Sequence, residues 1–183
     1  MHRQSPARQK GGAGEAEATG ANPTDRGKCG SKRHTLTEGR GLPIATILSG
    51  ANRTDMKKLA ELLDATVIAA PPPAPAADGA LPERHLGLDR GYDYEECRAA
   101  AAARGYTAHI PPPRGAERAA APGERARHPA RRWVVEVAHS WFNRFRRLLT
   151  RWEKRAELYF GFVQLAACLI VYRKLRHART PLG

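Results

Sequence analysis

The chain has 183 residues, of which 31 are Lys or Arg and 18 are Asp or Glu, so its formal net charge at pH 7 is +13. This length suits one domain with extended ends rather than two full domains, and a hydrophobic content of 42% excludes a wholly disordered chain. The positive charge favours a polyanionic partner, either nucleic acid or an anionic membrane surface, over a small acidic substrate.

Cysteine usage and the apolar segments indicate the compartment. Cys29, Cys97 and Cys168 form no CxxC pair and are too few for a disulfide scaffold or a structural zinc site. The N-terminus has no apolar export segment, so a reducing cytoplasm is expected. The longest apolar run, residues 159–172, falls short of the roughly 20 residues that a membrane span needs. It therefore predicts a buried helix and no membrane association.

Composition also predicts the domain limits. Residues 1–30 lack Val, Ile, Leu and aromatic residues, which is typical of a flexible N-terminal arm. Residues 31–173 form the expected folded domain, and 174–183 form a basic tail. Two Pro-rich segments, 69–80 and 111–129, are expected to be exposed loops within the domain.

The first elements alternate between strands and helices, which predicts an α/β class with one sheet of four or five strands. The predicted strands are residues 35–38, 44–49, 85–89 and 106–110. The predicted helices are residues 56–65, capped by Thr54 or Asp55, and residues 94–104, capped by Asp93 in a capping-box pattern with Glu96.

Two terminal helices follow. Residues 130–154 carry apolar side chains at steps of three and four, which predicts one long amphipathic helix. The set is Val134, Val137, Ala138, Trp141, Phe145, Leu148, Leu149 and Trp152. Residues 157–173 predict a second helix that is apolar on most sides and hence more buried.

Glu136 lies on the polar face of the long predicted helix, opposite the apolar set. It shares that face with basic and amide groups, namely Arg132, His139, Asn143, Arg147, Thr150 and Lys154. One interpretation is a solvated face with ion pairs. The other is a carboxylate that binds a metal ion at a phosphodiester, with Arg and Lys on the DNA backbone.

Asp89 is the second candidate ligand. It ends a short apolar strand, and side chains at the carboxyl ends of strands in α/β folds point into the functional crevice. The alternative is a residue that forms an Asx turn with the glycine-containing segment after it.

A dense basic segment, residues 25–34, supplies cations and glycine amides that could contact phosphates. It does not match a P-loop, and the alternative is a flexible solvated loop. The candidate DNA-binding residues are Arg26, Lys28, Lys32, Arg33, Arg132, His139, Asn143 and Arg147.

Three stretches together resemble the DDE transposases of bacterial insertion sequences. They are residues 20–34 with the hairpin Gly41-Leu42-Pro43, residues 88–93, and residues 131–148. The resemblance implies an RNase H-like mixed sheet flanked by helices, with two C-terminal helices. It also implies DNA transposition by metal-dependent strand cleavage and strand transfer, with Mg²⁺ or Mn²⁺ as cofactor and the element ends and target DNA as partners.

By the same resemblance, Asp89 is the second and Glu136 the third of three metal-binding acids, and Arg132 matches a basic residue that holds a phosphate or orients the glutamate. The family's first Asp precedes the Gly-rich stretch, where residues 1–10 contain no acid. We therefore expect a domain without its first strand, either truncated or completed by an upstream frame. The alternative is a non-catalytic DNA-binding remnant that inhibits transposition, acting with a second copy or a full-length transposase.

Overall fold

The computed structural model describes residues 18–23, 26–66, 83–111 and 132–179. The described strands are β1 (Gly20–Ala21), β2 (Cys29–Thr37), β3 (Pro43–Gly50), β4 (Arg84–Gly87) and β5 (Tyr106–His109). The described helices are α1 (Leu59–Asp64), α2 (Glu95–Ala102), α3 (Arg132–Phe142), α4 (Arg146–Leu149) and α5 (Ala156–Arg179). Short 3₁₀ turns cover Asp55–Lys58 and Arg90–Tyr92. The expected α/β class is confirmed.

The centre of the fold is the antiparallel hairpin of β2 and β3, which contains the strands predicted at residues 35–38 and 44–49. Its turn is held by the Glu38 carboxylate, which accepts hydrogen bonds from the amides of Arg40 at 2.8 Å and Leu42 at 2.9 Å. Gly41 adopts a φ of +90°, which only glycine adopts without strain. A Cβ there would lie 3.2 Å from the Val134 carbonyl oxygen, so the turn packs closely against α3.

The strand β2 is longer than predicted. It begins at Cys29, so residues 29–34, expected in a basic loop, belong to the sheet and pair with β3. The expected arm over residues 1–30 includes β1, which pairs with Cys29 and Gly30. Residues 1–17 lie outside the described residues. Partner pairing outweighs the low strand propensity of this Gly- and Lys-containing segment.

The hairpin separates two packed clusters. Since neighbouring side chains point to opposite faces of a strand, His34 and Leu36 lie on one face of β2, and Arg33 lies on the other. Leu36 packs in the first cluster with α1, where Leu59 is 2% exposed. On the other face, Leu48 packs in the second cluster with α3, α4 and α5.

The second sheet is the parallel pair β4 and β5, which matches the strands predicted at residues 85–89 and 106–110. The connecting helix α2 buries Cys97 and Ala101 in the first cluster, together with Leu86 of β4. The described strands therefore form two sheets that share one core, rather than the single sheet expected.

The prediction of one long helix over residues 130–154 is wrong. Within the described part, α3 ends at Phe142, a turn follows through Phe145, and α4 is a separate short helix. Phe142 is fully buried and Leu148 is 4% exposed, and both pack in the second cluster. The turn lets both reach α5, whereas Leu149 and Trp152 of the predicted apolar set are 61% and 76% exposed.

The last helix, α5, is longer than the predicted 157–173 and includes part of the expected basic tail. One stripe is buried, made by Ala156, Tyr159, Val163, Ala166 and Ile170. The opposite side is exposed, so the expectation of burial on most sides is wrong. The segment Ala156–Arg176 is long and apolar enough to cross a membrane by length and composition alone.

Of the Pro-rich segments, 69–80 lies outside the described residues, and so does 111–129 apart from Pro111.

Candidate functional site

Arg33 of β2 is held against the end of α3. Its Nη2 donates to the side-chain oxygen of Asn143 at 2.9 Å, and its guanidinium lies 5.3 Å from the centre of the Phe142 ring. Both contacts follow from the alternation of β2, which directs Arg33 away from the first cluster. The Nη1 of Arg33 is buried and has no hydrogen-bond partner among the described residues. A positioned cation thus lies where the sheet meets α3.

His139 lies one turn before Asn143 on α3. Burial lowers its pKa below the ordinary value of 6.5, and the positive charge of Arg33 lowers the pKa further. The imidazole is therefore neutral at pH 7. An anion bound beside Arg33 would oppose the effect of that cation and raise the pKa of His139.

Glu136 shares this face of α3, because positions three and seven residues apart are neighbours along a helix. It is exposed, and no described residue donates a hydrogen bond to its carboxylate or pairs with it. Arg132 is the first residue of α3. Glu136, His139 and Asn143 thus lie along one side of α3, and Arg33 contacts Asn143 at its C-terminal end; these four residues are called the α3 face below.

Arg147 does not join the α3 face. The break after Phe142 places it in α4, where Nη1 donates to Oε1 of Glu153 at 3.1 Å. Its guanidinium lies 5.1 Å from the centre of the Phe162 ring on α5. The prediction that Arg147 shares a face with Glu136 assumed one unbroken helix over residues 130–154.

Lys32 points to the opposite side of β2 from Arg33. Its Nζ lies 3.0 Å from Oδ1 of Asp55 and 3.1 Å from the Arg53 carbonyl oxygen. Arg26 and Lys28 lie in the turn before β2, where both are exposed and Arg26 has a φ of +49°. The eight candidate DNA-binding residues are thus distributed over several surfaces.

Asp89 forms the Asx turn that was the alternative interpretation. Its Oδ1 accepts a hydrogen bond from the Gly91 amide at 2.8 Å and caps the 3₁₀ turn Arg90–Tyr92. Burial raises the pKa of Tyr92, and the carboxylates of Asp55 and Asp89 raise it further. Asp89 is therefore close to the polar group around Asp55.

The prediction that Asp93 caps α2 is wrong. Tyr94 is the N-cap residue of α2, and no side chain caps it. Asp93 instead pairs with Arg98. Thr54, one of the two predicted caps of the next helix, is the N-cap residue of the 3₁₀ turn before α1, but its side chain makes no capping hydrogen bond.

Sequence reasoning missed a shallow pocket beside the start of β2. Its lining includes Ser31, Arg151, Trp152 and Lys154. Arg151 Nη1 donates to the Ser31 hydroxyl at 2.6 Å, which ties the segment after α4 to the sheet. The basic and aromatic residues at 151–154 were the sequence signal for this pocket. The long-helix prediction instead assigned Trp152 to an apolar face.

Comparison with known proteins identifies the family. Residues 3–171 match the family model of the transposase DDE domain. The chain belongs to this family. A Burkholderia cepacia protein described as a candidate transposase for insertion sequence element IS402 is 41% identical over 166 residues, which cover 90% of this chain and 73% of that protein. No solved structure matches.

Membership in the DDE transposase domain family confirms the resemblance drawn from the sequence and assigns the chain to DNA transposition. Domains of this family use divalent metal ions. Asp89 and Glu136 offer carboxylate oxygens, the ligands that hard divalent cations prefer, and the Asp89 turn engages one of its two oxygens. The described residues contain no group of three or more His, Cys, Asp or Glu side chains that could hold a metal ion.

Proposed function

We propose that this chain binds DNA during transposition through the α3 face. The observation that carries the proposal is the hydrogen bond from Arg33 to Asn143, which fixes a cation on the face that also bears Glu136 and His139. Guanidinium groups form strong charge-assisted hydrogen bonds with phosphate. The formal net charge of +13 adds a long-range attraction to any polyanion.

The polar inventory of this face suits a phosphate backbone. A buried donor without a partner costs about 1–3 kcal/mol, so Arg33 gains when a small rearrangement gives Nη1 an anionic acceptor. The amide nitrogen of Asn143 and the ring of His139 add possible donors beside it. Such contacts position a duplex and do not read its sequence.

The catalytic part of the proposal concerns Asp89 and Glu136. We propose that they are two of three carboxylates that hold Mg²⁺ or Mn²⁺, with the third supplied from outside the described residues. A bound divalent ion would stabilise charge on the attacking and leaving oxygens during phosphoryl transfer. The role of the chain's own residues is to supply two carboxylates and to hold the DNA backbone beside Glu136. Because its proposed substrate is DNA, we place the protein in the cytoplasm, at the nucleoid.

We also propose that the complete domain is RNase H-like. The outer edge of β2 is paired only at Cys29 and Gly30 among the described residues, and β4 is paired on one edge. The two sheets already share the first cluster. A further strand between β2 and β4 would join them into one mixed sheet, as the family resemblance implies, and could carry the third acid.

The test of DNA binding is its salt dependence. We expect the affinity for a mixed-sequence duplex, measured by fluorescence anisotropy, to fall steeply between about 50 and 200 mM salt, since each phosphate contact contributes about 0.9 to the slope of log K against log salt. Arg33→Ala should reduce the affinity and lower the slope by about one contact.

Arg98→Ala is the matched control, because it removes the same charge from a residue that pairs with Asp93 in a different part of the molecule. A shallow salt dependence in the unaltered protein would overturn the proposal. An equal loss of affinity in both variants would indicate that net charge alone drives binding. The α3 face would then not be the DNA-binding surface.

The second candidate function is a non-catalytic DNA-binding protein that inhibits transposition. It is favoured by the lack of a three-carboxylate group among the described residues. The two candidates share DNA binding and differ in strand cleavage, so the cleavage assay at the end of the Discussion separates them.

A further inference from the structure

The exposed side of α5 carries an unbroken apolar stripe, called the outer stripe here. It consists of Leu158, Gly161, Leu165, Cys168, Tyr172 and Leu175. All six are exposed, and the four largest are 52–61% exposed. No described residue covers them. Continuous exposed apolar patches mark interaction sites.

The spacing of the outer stripe indicates the type of partner. Its residues recur at steps of three and four, which are the a and d positions of a heptad repeat. The stripe lies opposite the buried one, so α5 is apolar on two sides, of which the chain's own core uses one. A strict repeat of this period fits another helix lying alongside.

We propose that the outer stripe pairs with the α5 helix of a second copy of this chain, in antiparallel orientation. The two-fold axis passes between Leu165 and Cys168. In this register, Leu158 meets the second copy's Leu175, Leu165 meets its Cys168, and Gly161 meets its Tyr172. This inference goes beyond the proposed function and does not depend on it.

Gly161 supports this register. Glycine inside a helix costs roughly 0.5–1 kcal/mol relative to alanine, and packing within the described chain gives no reason for it, because a Cβ there would meet nothing within 4 Å. In the proposed pair, the missing side chain leaves room for the ring of Tyr172. The smallest residue of the stripe thus lies opposite its largest.

Charge favours the antiparallel orientation over the parallel one. The C-terminal end of α5 carries Arg173, Lys174 and Arg176, whereas the positive and negative charges of residues 153–157 cancel. A parallel pair would place two strongly cationic ends side by side. An antiparallel pair separates them by about 26 Å, the length of the stripe at 1.5 Å per residue, and also opposes the two helix dipoles.

A lipid bilayer is a less suitable occupant, although the helix is long enough to span one. Insertion would remove Val163, which is fully buried, and the other inner residues from the second cluster. The stripe occupies one side of the helix only, and exposed Gln164 borders it. A partner that covers one side fits this pattern better than a solvent that surrounds the helix.

The mass of the full chain in solution tests the pairing. We expect light scattering of nuclease-treated protein at high salt, where DNA cannot bridge two chains, to give twice the chain mass. Leu165→Lys and Tyr172→Lys should each give a monomer that keeps its circular dichroism spectrum and melting transition. Leu149→Lys, an equal change at an exposed leucine of α4, should stay dimeric. A monomeric unaltered protein, or a dimer that survives both stripe variants, would overturn the proposal.

Disulfide crosslinking tests the orientation, because a disulfide forms only when the two Cα atoms lie within about 7 Å. In a Cys29→Ala background, Leu165→Cys should yield oxidised dimers through Cys168 of the second copy, and adding Cys168→Ser should abolish them. Strong crosslinking of Cys168 without the added cysteine would indicate a parallel pair and contradict the proposed register. Flotation of the monomeric chain with vesicles of one-third anionic lipid would assign the stripe to a membrane instead.

Discussion

His34 shows how one residue couples the sheet to a charged surface. It is 5% exposed, and its Nε2 lies 2.8 Å from the hydroxyl of fully buried Ser49. Its Nδ1 lies 3.5 Å from Oδ1 of Asp55. Burial lowers the pKa of His34 below 6.5 despite the opposing effect of Asp55, and Lys32 lowers it further.

This shift predicts a stability that depends on pH. Because the unfolded state binds the proton more readily than the folded state, the free energy of unfolding should fall as the pH drops through 6.5. His34→Gln should reduce this fall between about pH 7.5 and 5.5, a window above the ordinary carboxylate pKa values. Urea unfolding at the two pH values measures the difference.

His139 has a lowered pKa as well, so part of the slope should remain in the His34 variant. An unaltered slope in His34→Gln would show that this histidine is not the group responsible.

The two aspartates near residue 90 show where residue-level prediction fails. Both Asp89 and Asp93 precede a turn or helix and could cap it, and the sequence favoured Asp93 because Glu96 completes a capping box. In the structure Asp89 caps its turn, and Asp93 pairs with Arg98. Capping depends on the backbone conformation at each residue, and the spacing of residues in the sequence does not determine that conformation.

At the scale of elements, the end of α3 decides how the C-terminal half packs. Phe142 is fully buried between the Arg33 guanidinium and the α5 side of the second cluster. Phe142→Ala should lower the free energy of unfolding by about 3–5 kcal/mol, the usual range for a buried phenylalanine. Urea denaturation measures the change.

Trp133→Ala is the matched control on the same helix. Trp133 is 57% exposed, and substitutions of exposed residues usually change stability by less than about 1 kcal/mol. Similar losses in both variants would mean that the second cluster does not depend on Phe142 in particular.

The hairpin and the parallel strands could be predicted from the sequence, because short strand-like runs bounded by turn residues are a local signal. Helical periodicity failed at α3 because the step from Trp141 to Phe145 continues a helical spacing across the break after Phe142. The position of α5 explains the turn, because the turn lets Leu148 pack against α5 while Leu149 stays exposed. The exposure of the outer stripe could not be predicted for the same reason: its residues have the spacing of a core helix, and only the packing of α5 shows which side is buried.

At the scale of the whole molecule, the described residues pack around two sheets that share the first cluster. The first cluster joins β2 and β3 to β4 and α2 through side chains, without strand pairing between the two sheets. The α/β class and the family could be predicted from the sequence, because the motif residues are local. The relative positions of Asp89 and Glu136 could not, since they depend on how α3 and β4 pack against the hairpin.

The catalytic proposal makes its sharpest prediction for the protein expressed from its native DNA with the upstream sequence included. If an upstream frame supplies the third acid, intact mass should exceed that of the 183-residue chain, and this product should cleave element-end DNA with Mg²⁺. Glu136→Gln should then reduce cleavage by at least about 100-fold, because a divalent ion contributes several kcal/mol and about 1.4 kcal/mol corresponds to a factor of ten.

DNA binding separates this effect from a loss of structure. Glu136 is exposed and has no described partner, so its neutral variant should fold and bind DNA at least as tightly as the unaltered protein. Glu157→Gln, at an exposed glutamate of α5 that pairs with Arg155, should retain full cleavage. Wild-type cleavage by the Glu136 variant would remove that residue from the metal site. A product of 183 residues that binds DNA and never cleaves it would instead support the inhibitor.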